Sequence, residues 1–331
     1  MNFKKISILG SILLTGLIAE SSFACSSCGS SATAPLVLNP NENLKMYLGI
    51  SQNFGYMNYG GYGSSGTTRT ANKMLSSRKT LTLAVGYRTS ENSFVTLTGS
   101  VIQNEGPADT MNYASGTKTR YLLGDPILSG RYNLVNMGMD NIYRPQIQIM
   151  AGYKPGLAKN MVDRDGGAVD TVGNGFHQTN GGIDFWWGMP MIQFGASQLV
   201  TYSFNRNPGN DFGGGLSQTK RSRDLQYTTV LTVGHAFTDY KFSIQAGMIL
   251  DYIGEEKIYL QNSSGDQTSK TISPAQSNTA FFLAKFNVTD LDTLRFTYTI
   301  GGAYDGNLGP YTNSNQTTSN SALVAYERTF F

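Results

Sequence analysis

The sequence predicts an all-β fold: a transmembrane, antiparallel, up-and-down β-barrel of about 12 strands between residues 44 and 331. Two observations predict it. First, runs of alternating apolar and polar residues are separated by short turns and long polar loops in strict alternation, the rhythm of a barrel inserted from one side of a membrane. Second, only 14% of the residues are charged, against about 25% in ordinary soluble domains, while the chain holds 38 Gly, 19 Tyr and 17 Phe.

The first 24 residues have the pattern of a secretory signal peptide. Lys4 and Lys5 form a basic start, and the apolar stretch 6–18 is too short to span a bilayer as a helix. Ser22-Phe23-Ala24 then supplies small residues at the −3 and −1 positions, so we expect cleavage between Ala24 and Cys25. No nucleic-acid partner is expected, since removing Lys4, Lys5 and Glu20 lowers the formal charge from +3 to +2.

Residues 25–43 form a periplasmic N-terminal segment that contains a C-x-x-C motif, Cys25 and Cys28. Three interpretations stay open: a disulfide in an oxidising periplasm, lipidation of Cys25, or a metal or redox contact with a periplasmic partner. No C-x-x-C-H haem site occurs, and we expect no bound cofactor or metal. A further hypothesis is that this segment folds into the barrel lumen as a plug.

The predicted strands pair as hairpins. In the segment 224–237, one face holds the apolar residues Leu225, Tyr227, Leu231, Val233 and Phe237, and the other holds Gln226, Thr228 and Thr232. The same period of two defines the whole set of strands: 44–56, 80–89, 94–103, 121–135, 142–154, 177–188, 191–205, 224–237, 240–252, 279–289, 293–303 and 321–331.

The long connections are rich in Gly, Ser, Asn, Asp and Thr, as exposed loops are. They are the segments 57–79, 104–120, 155–176, 206–223, 254–278 and 304–320. An even number of strands places both termini and the short turns at the periplasmic rim of a bacterial outer membrane, with these loops outside. The terminal Phe330-Phe331 provides the aromatic end that barrel-assembly machinery recognises.

Charged residues on the polar faces are predicted to line the lumen, because each would cost a few kcal/mol in lipid near the bilayer centre. They are Arg88, Asp125, Arg131, Arg144, Asp184, Asp224, Lys241, Asp251, Lys285 and Arg295. Two interpretations stay open: ion pairs that fill a narrow barrel, or a polar constriction that admits small solutes. The slight cationic excess favours a weak preference for anions.

Two stretches carry a family resemblance. The segment 122–132 resembles the Gly-Asp…Arg-Tyr strand of outer-membrane transporters associated with phenol degradation. Residues 152–155, the 172–175 stretch and Asp184 are similar to the Lys-Pro…Gly-x-Gly…Asp pattern of the same proteins. The resemblance covers roughly residues 122–188 and implies transport of small apolar or aromatic molecules.

The segment 177–181 resembles the His-x-Ser-Asn-Gly segment of outer-membrane phospholipase A, with Thr179 at the nucleophile position. We predict instead that His177 is a polar residue at the strand end, and that the protein is not an enzyme. The predicted function is passive passage of small solutes across the outer membrane. The alternatives are a phospholipase-like hydrolase and a non-conducting surface scaffold.

Overall fold

The computed structural model describes residues 38, 42–57, 60–62, 68–70, 74–107, 117–136, 144–158, 170, 172–188, 192–213, 215–237, 241–301 and 318–331. Cys25 and Cys28 therefore lie outside the described residues, as does the predicted signal peptide. Within the described ranges, no helix is long and apolar enough to cross a membrane.

Nineteen strands occur in the described residues. In chain order they are β1 (Leu44–Met57), β2 (Gly60–Tyr62), β3 (Thr68–Thr70), β4 (Met74–Ser90), β5 (Ser93–Pro107), β6 (Thr117–Leu123), β7 (Ile127–Val135), β8 (Gln146–Lys154), β9 (Gln178–Gly188), β10 (Gln193–Ser203), β11 (Asn210–Gly213), β12 (Leu216–Arg223), β13 (Gln226–Phe237), β14 (Phe242–Ile253), β15 (Glu256–Asn262), β16 (Gln267–Ile272), β17 (Ala275–Asn287), β18 (Asp292–Gly301) and β19 (Thr318–Phe330).

Thirteen of these strands form one sheet that closes on itself. Around the ring the order is β4-β1-β19-β18-β17-β14-β13-β10-β9-β8-β7-β5, and β5 returns to β4. β6 and β7 both pair with β5 and are two parts of a single barrel strand, so the wall contains twelve antiparallel strands. The predicted fold class is confirmed.

The two faces of the wall have the reverse of a soluble protein's polarity. On β1, the apolar Met46, Leu48 and Ile50 are exposed on the outside, whereas Ser51 and Asn53 are buried on the inside. The same alternation recurs from strand to strand. Such an outer face suits hydrocarbon, and the polar groups are kept inside the ring.

Short and long connections alternate along most of the chain, as predicted, except that the connection between β7 and β8 has ten residues and that between β5 and β6 has nine. Because consecutive barrel strands are antiparallel, every short connection lies at one end of the barrel, which we call the short-turn rim, together with the start of β1 and the end of β19. The long connections lie at the opposite end, the long-loop rim.

The predicted strand 121–135 is interrupted by residues 124–126. Pro126 has no N–H group to donate to the ladder, so β6 ends at Leu123 and β7 begins at Ile127. Across the break, Gly124 N still donates to the carbonyl oxygen of Ser100 at 2.9 Å. The pairing with β5 therefore continues across the break. On its other side, β6 has no strand partner among the described residues.

The segments 206–223 and 254–278, predicted as long exposed loops, contain strands that the sequence analysis did not predict. They contain β11, β12, β15 and β16, which pair in that order as a separate four-stranded sheet beyond the long-loop rim. Ile258, Leu260 and Ile272 form its buried apolar cluster, with Leu216 packed against them. The connection 57–79 likewise holds the short hairpin β2–β3.

Candidate functional site: the inner wall of the barrel

A buried ion pair lies on the inner wall near the short-turn rim. Arg131 on β7 reaches across β8 to Asp184 on β9, with 2.5 Å between Nη1 and Oδ2. Asp184 also accepts a hydrogen bond from the Ser197 hydroxyl. Gln148, on the strand between them, accepts a 3.4 Å hydrogen bond from Arg131 Nη1 through Oε1. Both charges are thus neutralised within the wall.

Three further ion pairs follow the same principle. Each joins an inward carboxylate to an inward cation: Asp125 to Lys154 at 3.6 Å, Glu327 to Arg295 at 3.3 Å, and Glu42 to Lys45 at 3.0 Å. Within these pairs each carboxylate is balanced by one cation.

The ten residues predicted to line the lumen divide into three groups. Five are on inward-facing positions of strands or at the strand break, namely Asp125, Arg131, Asp184, Asp251 and Arg295, and all five are buried or largely so. Arg88 and Lys285 have inward parity and are half-buried. Arg144, Asp224 and Lys241 lie just outside β8, β13 and β14, at the barrel ends, where their side chains are exposed.

Lys241 has a partner at the short-turn rim, Asp290, at 2.8 Å. Both side chains are exposed. The hydrogen bond to Lys241 holds the pKa of the Asp290 carboxyl below its ordinary value.

Apolar side chains interrupt the polar inner wall, a feature that the sequence analysis missed. Val230, Ile249, Phe281 and Leu283 form one buried cluster on β13, β14 and β17. A second consists of Tyr47, Ala84, Leu323 and Ala325. Their parity was the signal that could have revealed them, because each shares a strand face with inward Thr, Ser or Gln residues.

Two inward aromatic rings lie close to glycines of the wall. A Cβ atom at Gly49 would lie 2.8 Å from Tyr47 Cε1, and one at Gly247 would lie 3.1 Å from Phe281 Cζ. A side chain at Gly49 would displace the Tyr47 ring, whereas one at Gly247 would first meet the Leu231 carbonyl oxygen and then crowd the Phe281 ring.

The segment after β8 is held against the strand break by Asp125. Its Oδ1 atom accepts hydrogen bonds from the backbone N–H groups of Leu157 at 2.8 Å and Ala158 at 2.6 Å. Ala158 then packs with Ile102 and Val172 in a third apolar cluster. The break is therefore covered from the inside by this segment.

The chain before β1 approaches the barrel through the short-turn rim. Glu42 is buried, its carbonyl oxygen accepts from Arg88 Nε at 2.7 Å, and Asn43 N donates to the Phe330 carbonyl oxygen at 2.9 Å. Leu38, six residues before β1, has none of its surface exposed.

The outer sheet covers Phe176 at the long-loop rim. Phe176 is fully buried, with the guanidinium of Arg223 4.8 Å from its ring centroid and that of Arg221 5.9 Å away. Both arginines also pair with Glu256. Burial raises the pKa of the Glu256 carboxyl, but the charges of Arg223 and Arg221 outweigh it and hold the pKa below its ordinary value.

His177 lies on the outer surface, next to the aromatic ring of Tyr153. Its Nδ1 atom is 2.9 Å from the Tyr153 hydroxyl. The Thr179 hydroxyl donates to the Gly152 carbonyl oxygen at 3.1 Å. The two side chains thus hydrogen-bond to different neighbours and do not form the base–nucleophile pair of a hydrolase in this arrangement.

Several solved outer-membrane barrels resemble the structure in fold. An outer membrane channel from Pseudomonas putida F1 matches with a TM-score of 0.59 at 13% identity, over 89% of this chain and 100% of that chain. The toluene transporter TodX from Pseudomonas putida matches with a TM-score of 0.47 at 10% identity, over 96% and 99% of the two chains. At 13% identity the first likeness shows a shared barrel fold. No protein-family model and no curated protein sequence matches the chain.

Proposed function

We propose that the protein is a channel of the bacterial outer membrane through which small solutes pass passively. The observation that carries this proposal is a closed ring of twelve strands whose outer face is apolar and whose inner face holds the polar and charged side chains. The fold shared with an outer membrane channel and the signal-peptide pattern of residues 1–24 support it. The same location is proposed for the chain: an outer membrane, with the short-turn rim in the periplasm.

A narrow bore is part of the proposal. It is supported on β4, β1 and β19, where inward side chains as small as Ser51, Thr82 and Ser321 are buried by their neighbours. The complete burial of Leu38 and the anchoring of Glu42 support the proposal that the N-terminal segment enters the barrel and narrows it. Passage then requires this segment to shift.

Small molecules with an apolar or aromatic body are the proposed solutes. The apolar clusters around Val230 and around Tyr47 provide inner surface that such a body can contact. The resemblance of residues 122–188 to transporters associated with phenol degradation supports the same class. Because Arg131, Lys154 and Arg295 pair with carboxylates, any preference for anions is expected to be weak.

Planar-bilayer recording of the full mature chain tests the proposal. We expect discrete but small conductance steps, with a reversal potential in a salt gradient close to zero. A barrel that inserts, as shown by heat-modifiable gel migration, yet stays silent would contradict passive passage and favour a non-conducting scaffold. Hydrolysis of phospholipid with calcium that is lost on His177→Ala would instead show a hydrolase.

A further inference from the structure

Asp251 differs from the other inward carboxylates in the described part of the barrel. Four of them have a cation within 4.0 Å: Asp125, Asp184, Glu327 and Glu42. Asp251, on β14, is only 4% exposed, and its one hydrogen bond comes from the Thr228 hydroxyl, 2.5 Å from Oδ1. A buried carboxylate without a counterion is costly, so its retention calls for an explanation.

The neighbouring strands offer Asp251 no positive charge. Its register partners are Thr228 on β13 and Ser277 on β17, both neutral. The nearest inward cation along β17 is Lys285, eight residues beyond Ser277, which is about 27 Å along an antiparallel strand. One side of the barrel therefore presents a carboxylate whose charge is not balanced within the wall.

The apolar cluster lies directly next to this carboxylate. Ile249 is the adjacent inward position on β14, about 7 Å along the strand from Asp251, and it is the register partner of Val230. Phe281 and Leu283 continue the cluster on β17, but their register partners Gly247 and Gln245 lie four and six residues from Asp251, about 14 and 20 Å along β14. Ile249 and Val230 are therefore the members of the cluster that lie closest to the carboxylate, and both have inward strand parity.

We infer that Asp251 and the near edge of the apolar cluster, Ile249 and Val230, form a subsite for a small amphiphile with a protonated amine at one end. The ammonium group supplies the counterion that Asp251 lacks, and an aromatic or aliphatic body about 7 Å long contacts Ile249 and Val230. A divalent metal ion fits less well, because calcium takes six to eight oxygen ligands and the adjacent surface is apolar. The inference rests on the proposed function, since a solute must be able to enter the barrel.

Three water-soluble probes of similar size test the subsite: 2-phenylethylammonium, 2-phenylethanol and 3-phenylpropionate. Their binding to the full mature chain in nanodiscs is measured by calorimetry, with empty nanodiscs subtracted. We expect the amine to bind about tenfold more tightly than the alcohol, as one charge-assisted hydrogen bond allows, and the acid to bind most weakly.

Asp251→Asn keeps the shape of the side chain and is expected to bring the amine and the alcohol to within about twofold of each other. The matched control is Asp290→Asn at the short-turn rim, which removes an exposed carboxylate and should keep the wild-type preference. Ile249→Ala should weaken all three probes alike, and it provides a second variant if Asp251→Asn does not fold.

Equal affinity for the three probes on the wild-type chain, or an amine preference that survives in Asp251→Asn, would overturn the subsite. Calcium that binds to the wild-type chain and is lost in Asp251→Asn, when the amine does not bind, would overturn it too. A barrel that conducts in bilayers without any amine preference refutes this inference alone, whereas one that neither conducts nor binds any probe refutes the proposed function as well.

Discussion

Replacing Asp184 by Asn would remove one half of the ion pair with Arg131. The two side chains are 4% and 1% exposed, so the Asn variant leaves a guanidinium that neither water nor another carboxylate can reach in this arrangement. Breaking a buried pair in this way costs about 3–5 kcal/mol of folding free energy. The hydrogen bond from Gln148 to Asn133, 2.5 Å long, shows that the amide beside Arg131 is already engaged and cannot turn to compensate.

The matched variant is Arg131→Met, which leaves Asp184 unpaired and should be destabilised by a similar amount. The double variant removes both charges, so it should recover much of the loss, with a coupling energy of at least about 2 kcal/mol. The free energy of unfolding is measured by urea titration in lipid vesicles. The only two Trp residues of the chain, Trp186 and Trp187, lie on β9 beside Asp184 and report the transition by fluorescence.

A loss below about 1 kcal/mol for Asp184→Asn would refute the reasoning, because an exposed ion pair contributes that little. Strictly additive single variants would do the same. Either result would mean that water reaches the pair and that the bore is wider at this height than the burial of the two side chains implies.

Two further predictions concern the outer face and the outer sheet. Leu83, 55% exposed on β4, should tolerate Ala far better than Arg, which at the bilayer centre costs about 2–4 kcal/mol in vesicle unfolding; equal losses would mean that this face does not meet lipid. For Glu256, the folded pKa lies below the unfolded one, so its contribution to stability is complete above about pH 4.3 and is lost as the pH falls through the folded pKa. The protection factors of the amides of residues 216–223 and 256–262, which are exchange rates corrected for the intrinsic rate at each pH, should therefore fall in acid, and Glu256→Gln should flatten this pH dependence; an unchanged profile in the variant would assign it to other groups.

The barrel could be predicted because its two signals are local. In β13 the period of two is legible from the sequence, and the alternation of connection lengths needs no knowledge of pairing. The outer sheet could not be predicted in this way, since β12 pairs with β15 and more than thirty residues of barrel lie between them. The break between β6 and β7 could have been predicted from Pro126. Because proline has no N–H group to donate to the ladder, it is unfavourable inside a predicted strand.

The inner wall was predicted in part. The cost of a charge in lipid was enough to place Arg131 and Asp184 inward. Their ion pair could not be predicted, because it joins β7 to β9 across β8 and depends on the register of all three strands. Arg144 and Asp224 lie beyond the strands because the predicted boundaries ran two to four residues too long there. The inward Val230 and Phe281 were missed because apolar residues were assigned to lipid, whereas strand parity alone places them inside.

The four-stranded sheet outside the ring joins two connections that are far apart along the chain, 204–225 and 254–274. A protease that cuts one of them would leave its two ends still fastened by the ladder to the other, so such a nick should not detach the fragment. For the same reason an insertion within β12 or β15 would shift the register between the two connections, whereas one in the turn between β15 and β16 would leave that register unchanged. A peptide tag or epitope is better placed in the connection between β18 and β19.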